Sequence, residues 1–173
     1  MADQARRRPF FPGNSRENLT SRYRLREFDY STPGYYFLTL PIMHRAEVLG
    51  QIENRELVLS DVGSAVNDLI TSSAFHTPHL TVEQFVIMPN HVHLLTYISI
   101  ENETTTPSHY VKWLKGASTV AYRAAVRSGS CLDLGSKLWQ VGFNDEIVRN
   151  DVHLENVRRY IAENPAQWSE DEL

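Results

Sequence analysis

The sequence predicts an α+β fold, an antiparallel sheet with helices packed on it. Three observations predict it. Short aromatic and β-branched runs are interspersed with three stretches of helical spacing. Two apolar runs, TVEQFVIMP and HVHLLTYISI, are separated only by the turn signal Pro89-Asn90, so their strands are most simply antiparallel. The chain has 173 residues, 42% of them hydrophobic, which suits one soluble domain with a substantial core.

The elements follow in order. Residues 1–33 are rich in Arg, Pro, Ser and Asn and read as a flexible basic arm. Gly34 opens YYFLTLPI, a strand, and VLGQIENRELVLS reads as two short strands about a Glu53-Asn54 turn. Asp61 to Phe75 has helical spacing, with Val62, Val66, Leu69 and Ile70 on one face, Ser60 or Asp61 as cap, and Pro78 marking the end. After the two central strands comes a polar loop, ENETTTP. Pro107 to Arg127 is helical, with Tyr110, Trp113, Leu114, Ala117, Ala121 and Ala124 as the expected buried stripe. Lys112, Thr119, Arg123 and Arg127 fall near one another on its other side. A short strand is expected within LWQVGFNDEIV. The last helix starts at Asn150 or Asp151, buries Leu154, Val157 and Ile161, and stops near Pro165. The folded domain is thus expected over 34–168, with 169–173 an acidic tail.

Composition narrows the function classes. No stretch of about 18 apolar residues is present, so no membrane span is expected. The N-terminus lacks an apolar signal core, and Cys131 is the single cysteine, which excludes an internal disulfide and a Cys-rich zinc site. A cytoplasmic location fits. The net charge of −4 gives no global case for nucleic acid; its distribution is more informative, although a solvated tail and a solvated helix face fit it as well. Seven arginines face two acids over residues 1–26, a local charge of +5. No acid occurs between Glu103 and Asp133, where Lys112, Lys115, Arg123 and Arg127 lie.

His91 and His93 lie in the apolar run FVIMPNHVHLL. In a strand, residues two apart face the same side, about 7 Å apart along the backbone, so both imidazoles can converge on one ion. Two satisfied structural histidines fit the same spacing. Tyr160 and Asn164 are four apart and share a face of the last helix, although an ordinary core tyrosine and a helix-capping asparagine fit there as well.

MPNHVHLL resembles the histidine–hydrophobe–histidine signature of HUH single-strand DNA endonucleases. With LWQ at 138–140, IVR at 147–149 and RRYIAENPAQW at 158–168, the chain is similar to single-tyrosine HUH transposases, in particular the REP-associated tyrosine transposases. The likeness covers roughly residues 30–168. It implies a ferredoxin-like HUH endonuclease fold, His91 and His93 as metal ligands, Asn164 as a third ligand, and Tyr160 as nucleophile. It also implies Mg2+ or Mn2+ as cofactor, single-stranded or hairpin DNA as substrate, and a homodimer. Lys112, Lys115, Arg123, Arg127, Arg149 and Arg158 are then expected to contact DNA, their charges meeting backbone phosphates.

The implied reaction is attack of the Tyr160 oxygen on a backbone phosphate, giving a 5′-phosphotyrosine link and a free 3′-hydroxyl. A divalent ion would act as Lewis acid. One departure from the family pattern stands out: in VGFNDE, Glu146 replaces a cationic or neutral group, and near the site it would repel phosphate. A catalytically silent or domesticated DNA-binding relative is the alternative. An unrelated His-x-His metal hydrolase needs nearby carboxylate ligands, and none follows closely.

Overall fold

The computed structural model describes residues 28–100 and 105–168. The N-terminal arm up to residue 27 and the acidic tail 169–173 lie outside the described residues. A four-stranded sheet runs in the order β4 (Leu80–Met88), β5 (His91–Ile98), β1 (Gly34–Pro41), β6 (Asn144–Val148). Every neighbouring pair is antiparallel. A separate hairpin joins β2 (Gly50–Glu53) to β3 (Glu56–Leu59). Its two loop residues, Asn54 and Arg55, have φ of 51° and 69°, the left-handed pair that a two-residue hairpin of natural twist requires. With α1 (Asp61–Thr71), α2 (Pro107–Ser128) and α3 (Asp151–Glu163), the sheet strands read β-α-β-β-α-β, a ferredoxin-like arrangement extended by α3. The expected α+β class and the antiparallel central pair are both present.

The period of two along the strands divides the molecule into three layers. Tyr36, Leu38 and Leu40 of β1, with Val92, Leu94 and Ile98 of β5, enter one core. There they meet Val62, Val66 and Ile70 of α1 and Tyr110, Leu114 and Tyr122 of α2. The opposite parity, Phe37 and Leu95, meets Val157 and Ile161 of α3 in a second cluster. The central strands are therefore buried on both faces, which explains their unbroken apolar character.

The helices stop and start as the caps dictate. The hydroxyls of Ser60 and Thr106 and the side-chain oxygen of Asn150 accept backbone N–H bonds at the starts of α1, α2 and α3. Gly129, at φ 78°, ends α2 in the left-handed conformation. Gly63 allows α1 to lie against the chain leaving β1: a Cβ there would stand 1.9 Å from the Leu49 carbonyl oxygen.

Two expectations need correction. Residues 28–33 are packed, not part of a flexible arm: Tyr30 is buried, Phe28 stacks edge-on against it at 5.2 Å, and the Tyr36 hydroxyl donates to the Thr32 carbonyl at 2.6 Å. The seam of α2 is Tyr110, Leu114, Ser118, Tyr122 and Ala125, and the side chain of Ala124 is exposed. Ser118 can be buried because its hydroxyl donates to the Leu114 carbonyl and accepts from the Trp139 indole at 2.9 Å.

β4 carries a bulge. Val82 pairs with Thr96 and Gln84 with Leu95, so Glu83 is an extra residue without a partner on β5. Leu80 and Val82 before it, and Phe85 and Ile87 after it, all reach the α1–α2 core, so the strand changes parity at Glu83.

Candidate active site

His91 and His93 belong to the parity of β5 that faces α3. Their cross-strand neighbours on β1 are Pro41 and Thr39. Both imidazoles are buried, 3% and 2% exposed. Each is held through Nδ1: His91 by the side-chain oxygen of Asn90 at 2.8 Å, His93 by the Thr39 hydroxyl at 2.9 Å. Their Nε2 atoms then meet at 3.0 Å. Because the Asn90 oxygen can only accept, His91 carries its proton on Nδ1 and presents a bare Nε2 lone pair. Phe37 stacks on the His93 ring at 5.2 Å, and Trp168 covers the His91 ring at 6.0 Å.

α3 brings Tyr160 to this point. Its hydroxyl stands 3.3 Å from Nε2 of His93, and its ring meets Phe37 edge-on at 5.9 Å. The Tyr160 hydroxyl and the two Nε2 atoms thus converge in one chain, across 67 residues of sequence. Asn164 lies one turn further along as the C-terminal cap of α3, half-buried, and Trp168 follows one more turn on.

Burial keeps both imidazoles neutral. Burial, with the Arg45 charge adding to it, pushes His91 down to about 4. Burial first, and His91 second, hold His93 well below the usual imidazole range. Neutral imidazoles are the form that ligates metal. Two nitrogens at about 2.1 Å from one ion and at right angles to each other are separated by about 3.0 Å, the spacing of octahedral neighbours. The pair fits a divalent ion, and the Asn90 and Thr39 bonds are the outer contacts that orient such ligands. Among the described residues no group of three or more His, Cys, Asp or Glu gathers to hold a metal.

The cations predicted to bind DNA are not gathered here. Lys112, Arg123 and Arg127 are exposed on α2, in the layer across the sheet from the histidines. Lys115 turns inward: its ammonium donates to the carbonyls of Gln140, at 2.9 Å, and Gly142, and burial lowers its pKa to about 8. Arg158 is held by Glu83, with Nε and Nη2 each 2.7 Å from one carboxylate oxygen, and Gln84 donates to the Arg158 carbonyl at 3.2 Å. The β4 bulge therefore anchors α3. Arg149 is exposed ahead of α3. Glu146 pairs with Phe37 across strands, which places it on the histidine face, where its carboxylate lies 3.3 Å from His153 of α3.

Sequence reasoning missed Thr39, Asn90, Trp168 and Arg45. The first two are set by strand register and turn geometry, and no local pattern marks them. Trp168 lies beyond α3, in extended backbone after the turn Pro165–Gln167, where no helical spacing marks it.

Comparison with known proteins bears on the family and the fold. The family described as transposase IS200 like matches residues 44–164. An uncharacterized protein of Haemophilus influenzae is 25% identical over 162 residues, covering 87% of this chain and 90% of that one. Among solved structures, a REP-associated tyrosine transposase bound to a REP hairpin superposes with a TM-score of 0.60 at 19% identity, covering 86% of this chain and 74% of that one. A candidate transposase from Deinococcus radiodurans R1 gives 0.51 at 21% identity, over 82% and 97%.

Proposed function

This chain belongs to the family of IS200-like transposases, and from that membership we propose that it cuts and rejoins single-stranded DNA through a 5′-phosphotyrosine link at Tyr160. The observation that carries the reading is the Tyr160 hydroxyl standing 3.3 Å from Nε2 of His93, itself 3.0 Å from Nε2 of His91. A nucleophile beside a pair of neutral, oriented ligand nitrogens is what the reaction needs.

The Tyr160 oxygen forms the bond to phosphorus as the bond to the 3′-oxygen breaks. One proton leaves the phenol and one is taken up by the departing 3′-oxygen, so the step is proton-neutral. The new ester keeps the phosphodiester energy and a 3′-hydroxyl can reverse it, which suits joining as well as cutting. Mg2+ or Mn2+, held by His91 and His93 with Asn164 as the third donor, would supply Lewis-acid polarisation of the phosphate. Phe37 and Trp168 hold the imidazole planes, Asn90 fixes the tautomer of His91, and Thr39 orients His93 through Nδ1.

The fold shared with a transposase bound to a REP hairpin supports hairpin-bearing DNA as the substrate class. Lys112, Arg123, Arg127 and Arg149 would hold the duplex part, away from the reacting phosphate. Lys115 and Arg158 serve structure instead. A homodimer is part of the proposal.

The test is incubation with hairpin-bearing single-stranded DNA and Mn2+, followed by a denaturing gel. A covalent adduct is expected with the parent protein and none with Tyr160→Phe. An adduct that survives Tyr160→Phe removes this nucleophile from the scheme. Binding without any adduct favours the silent DNA-binding relative.

A further inference from the structure

The cation that approaches the histidines is one no motif marked. β1 ends at Pro41, the cross-strand neighbour of His91. The Ile42 N–H then donates to the Asn90 carbonyl at 2.9 Å, the chain turns over Met43–Arg45, and the Leu49 N–H returns to the Pro89 carbonyl at 3.0 Å. This turn thus straddles the Pro89-Asn90 corner that leads into His91. Within it His44 and Arg45 both have φ of 56°. Two successive side-chain-bearing residues in the left-handed region are strained and persist only where neighbours enforce them. Here the enforcing bonds are Met43 N–H to the Leu138 carbonyl at 2.8 Å, Arg45 N–H to the Ile42 carbonyl at 3.1 Å, and Ala46 N–H to the Met43 carbonyl at 3.2 Å. The side chain they project is exposed, and among the described residues it makes no ion pair. A strained turn that presents an exposed guanidinium at the corner leading into His91 puts a cation at the edge of the histidine face.

We propose that Arg45 binds the phosphate presented to His91 and His93, its planar fork taking the non-bridging oxygens while Tyr160 attacks. The proposal rests on the reading of Tyr160 as nucleophile and adds the charge that Lys112, Arg123 and Arg127, across the sheet, do not bring to this face. A guanidinium suits the task because it engages two phosphate oxygens at once and stays charged at every working pH.

The test uses Arg45→Asn, which accepts the left-handed backbone, and Arg45→Lys, which keeps charge but loses the fork. Arg45→Gly, free at the same φ, repeats the charge removal if the asparagine variant melts early. Two readouts are taken. The first is affinity for a hairpin-bearing single strand as salt rises, measured in a Tyr160→Phe background. The second is the rate of adduct formation with Mn2+. Removing the charge should flatten the slope of log affinity against log salt by about 0.7, one phosphate contact on a single strand. It should slow adduct formation by about 10-fold or more, with the melting temperature unchanged. Arg45→Lys should restore the slope and only part of the rate. Charge-removed variants that keep the parent slope and the parent rate overturn the proposal. A parent that forms no adduct overturns the catalytic reading alone, since the salt slope still decides whether Arg45 meets a phosphate.

Discussion

Thr39 illustrates how much of the site depends on single atoms. Its hydroxyl is the partner of Nδ1 of His93, 2.9 Å away in a buried position. Thr39→Val keeps the shape and removes the bond, at about 1–3 kcal/mol for a buried nitrogen left unpaired. It should also weaken Mn2+ binding by about 10–100-fold, as outer-contact losses do. Titration of the ion with a thermal-shift readout checks both. His91 makes a pH prediction with a definite sign. Its imidazole is near 6.5 when unfolded and about 4 when folded. Above 6.5 neither state binds the proton and the stability is complete. Between 6.5 and about 4 the unfolded chain takes up the proton first, so stability falls as pH falls. The loss is about 3 kcal/mol at about 1.4 per pH unit. Denaturant unfolding of chelator-treated protein from pH 8 to pH 4 measures it, and a flat profile contradicts the buried neutral imidazole. At this scale the sequence pointed to His91, His93 and Tyr160 through the family resemblance of MPNHVHLL and RRYIAENPAQW, since the spacing of two alone fits structural histidines as well. It was silent on Thr39 and Asn90, whose contacts with the imidazoles arise from strand register and turn geometry.

Among the elements, α3 is the one whose placement decides function. Its grip on the sheet comes from the Phe37–Leu95–Val157–Ile161 cluster and from the Glu83–Arg158 pair. The pair is partly exposed and contributes little to global stability. Its effect is local: Arg158→Gln should raise amide exchange across α3 while the exchange of β5 and β1 stays at the parent level. Equal change everywhere would show that α3 has no independent opening. α1 yields a stability prediction. Gly63→Ala forces a methyl group into the Leu49 carbonyl and should cost about 1–3 kcal/mol, measured as a lower denaturation midpoint with unchanged slope. The helices themselves were legible, because caps and apolar spacing are local. The stripe of α2 was misassigned toward its alanines because a serine was not expected in the core. Only the Trp139 indole, arriving from 21 residues away, makes Ser118 admissible there.

Across the whole molecule, one sheet separates two tasks. The histidines face α3, which carries the tyrosine, while the exposed cations of α2 lie on the far layer. Neutralising Lys112, Arg123 and Arg127 together to Gln should weaken affinity for hairpin-bearing DNA by about 10-fold or more at low salt. It should leave adduct formation on saturating DNA near the parent rate. Loss of rate instead of affinity would place α2 at the reacting phosphate. The class and the antiparallel pairing could be read from the chain, because alternation and turn signals specify them. The division of α1 and α2 from α3 could not, since strands buried on both faces show no polar side.

The bulge at Glu83 has a consequence for how β4 can vary. By strict alternation, Leu80, Val82, Gln84, Val86 and Met88 would share one face. Instead the extra residue lets Leu80 and Val82 face one layer while Val86, opposite His93, serves the other. The strand is spliced from two halves of opposite phase, and Glu83 is the splice. A substitution at that position costs the hold on Arg158 and the hydrogen bond with Tyr35. A deletion keeps every other residue and inverts one half: either Leu80 and Val82 leave their core, or the corner leading to His91 turns over. Length, more than identity, is what this position conserves for the fold.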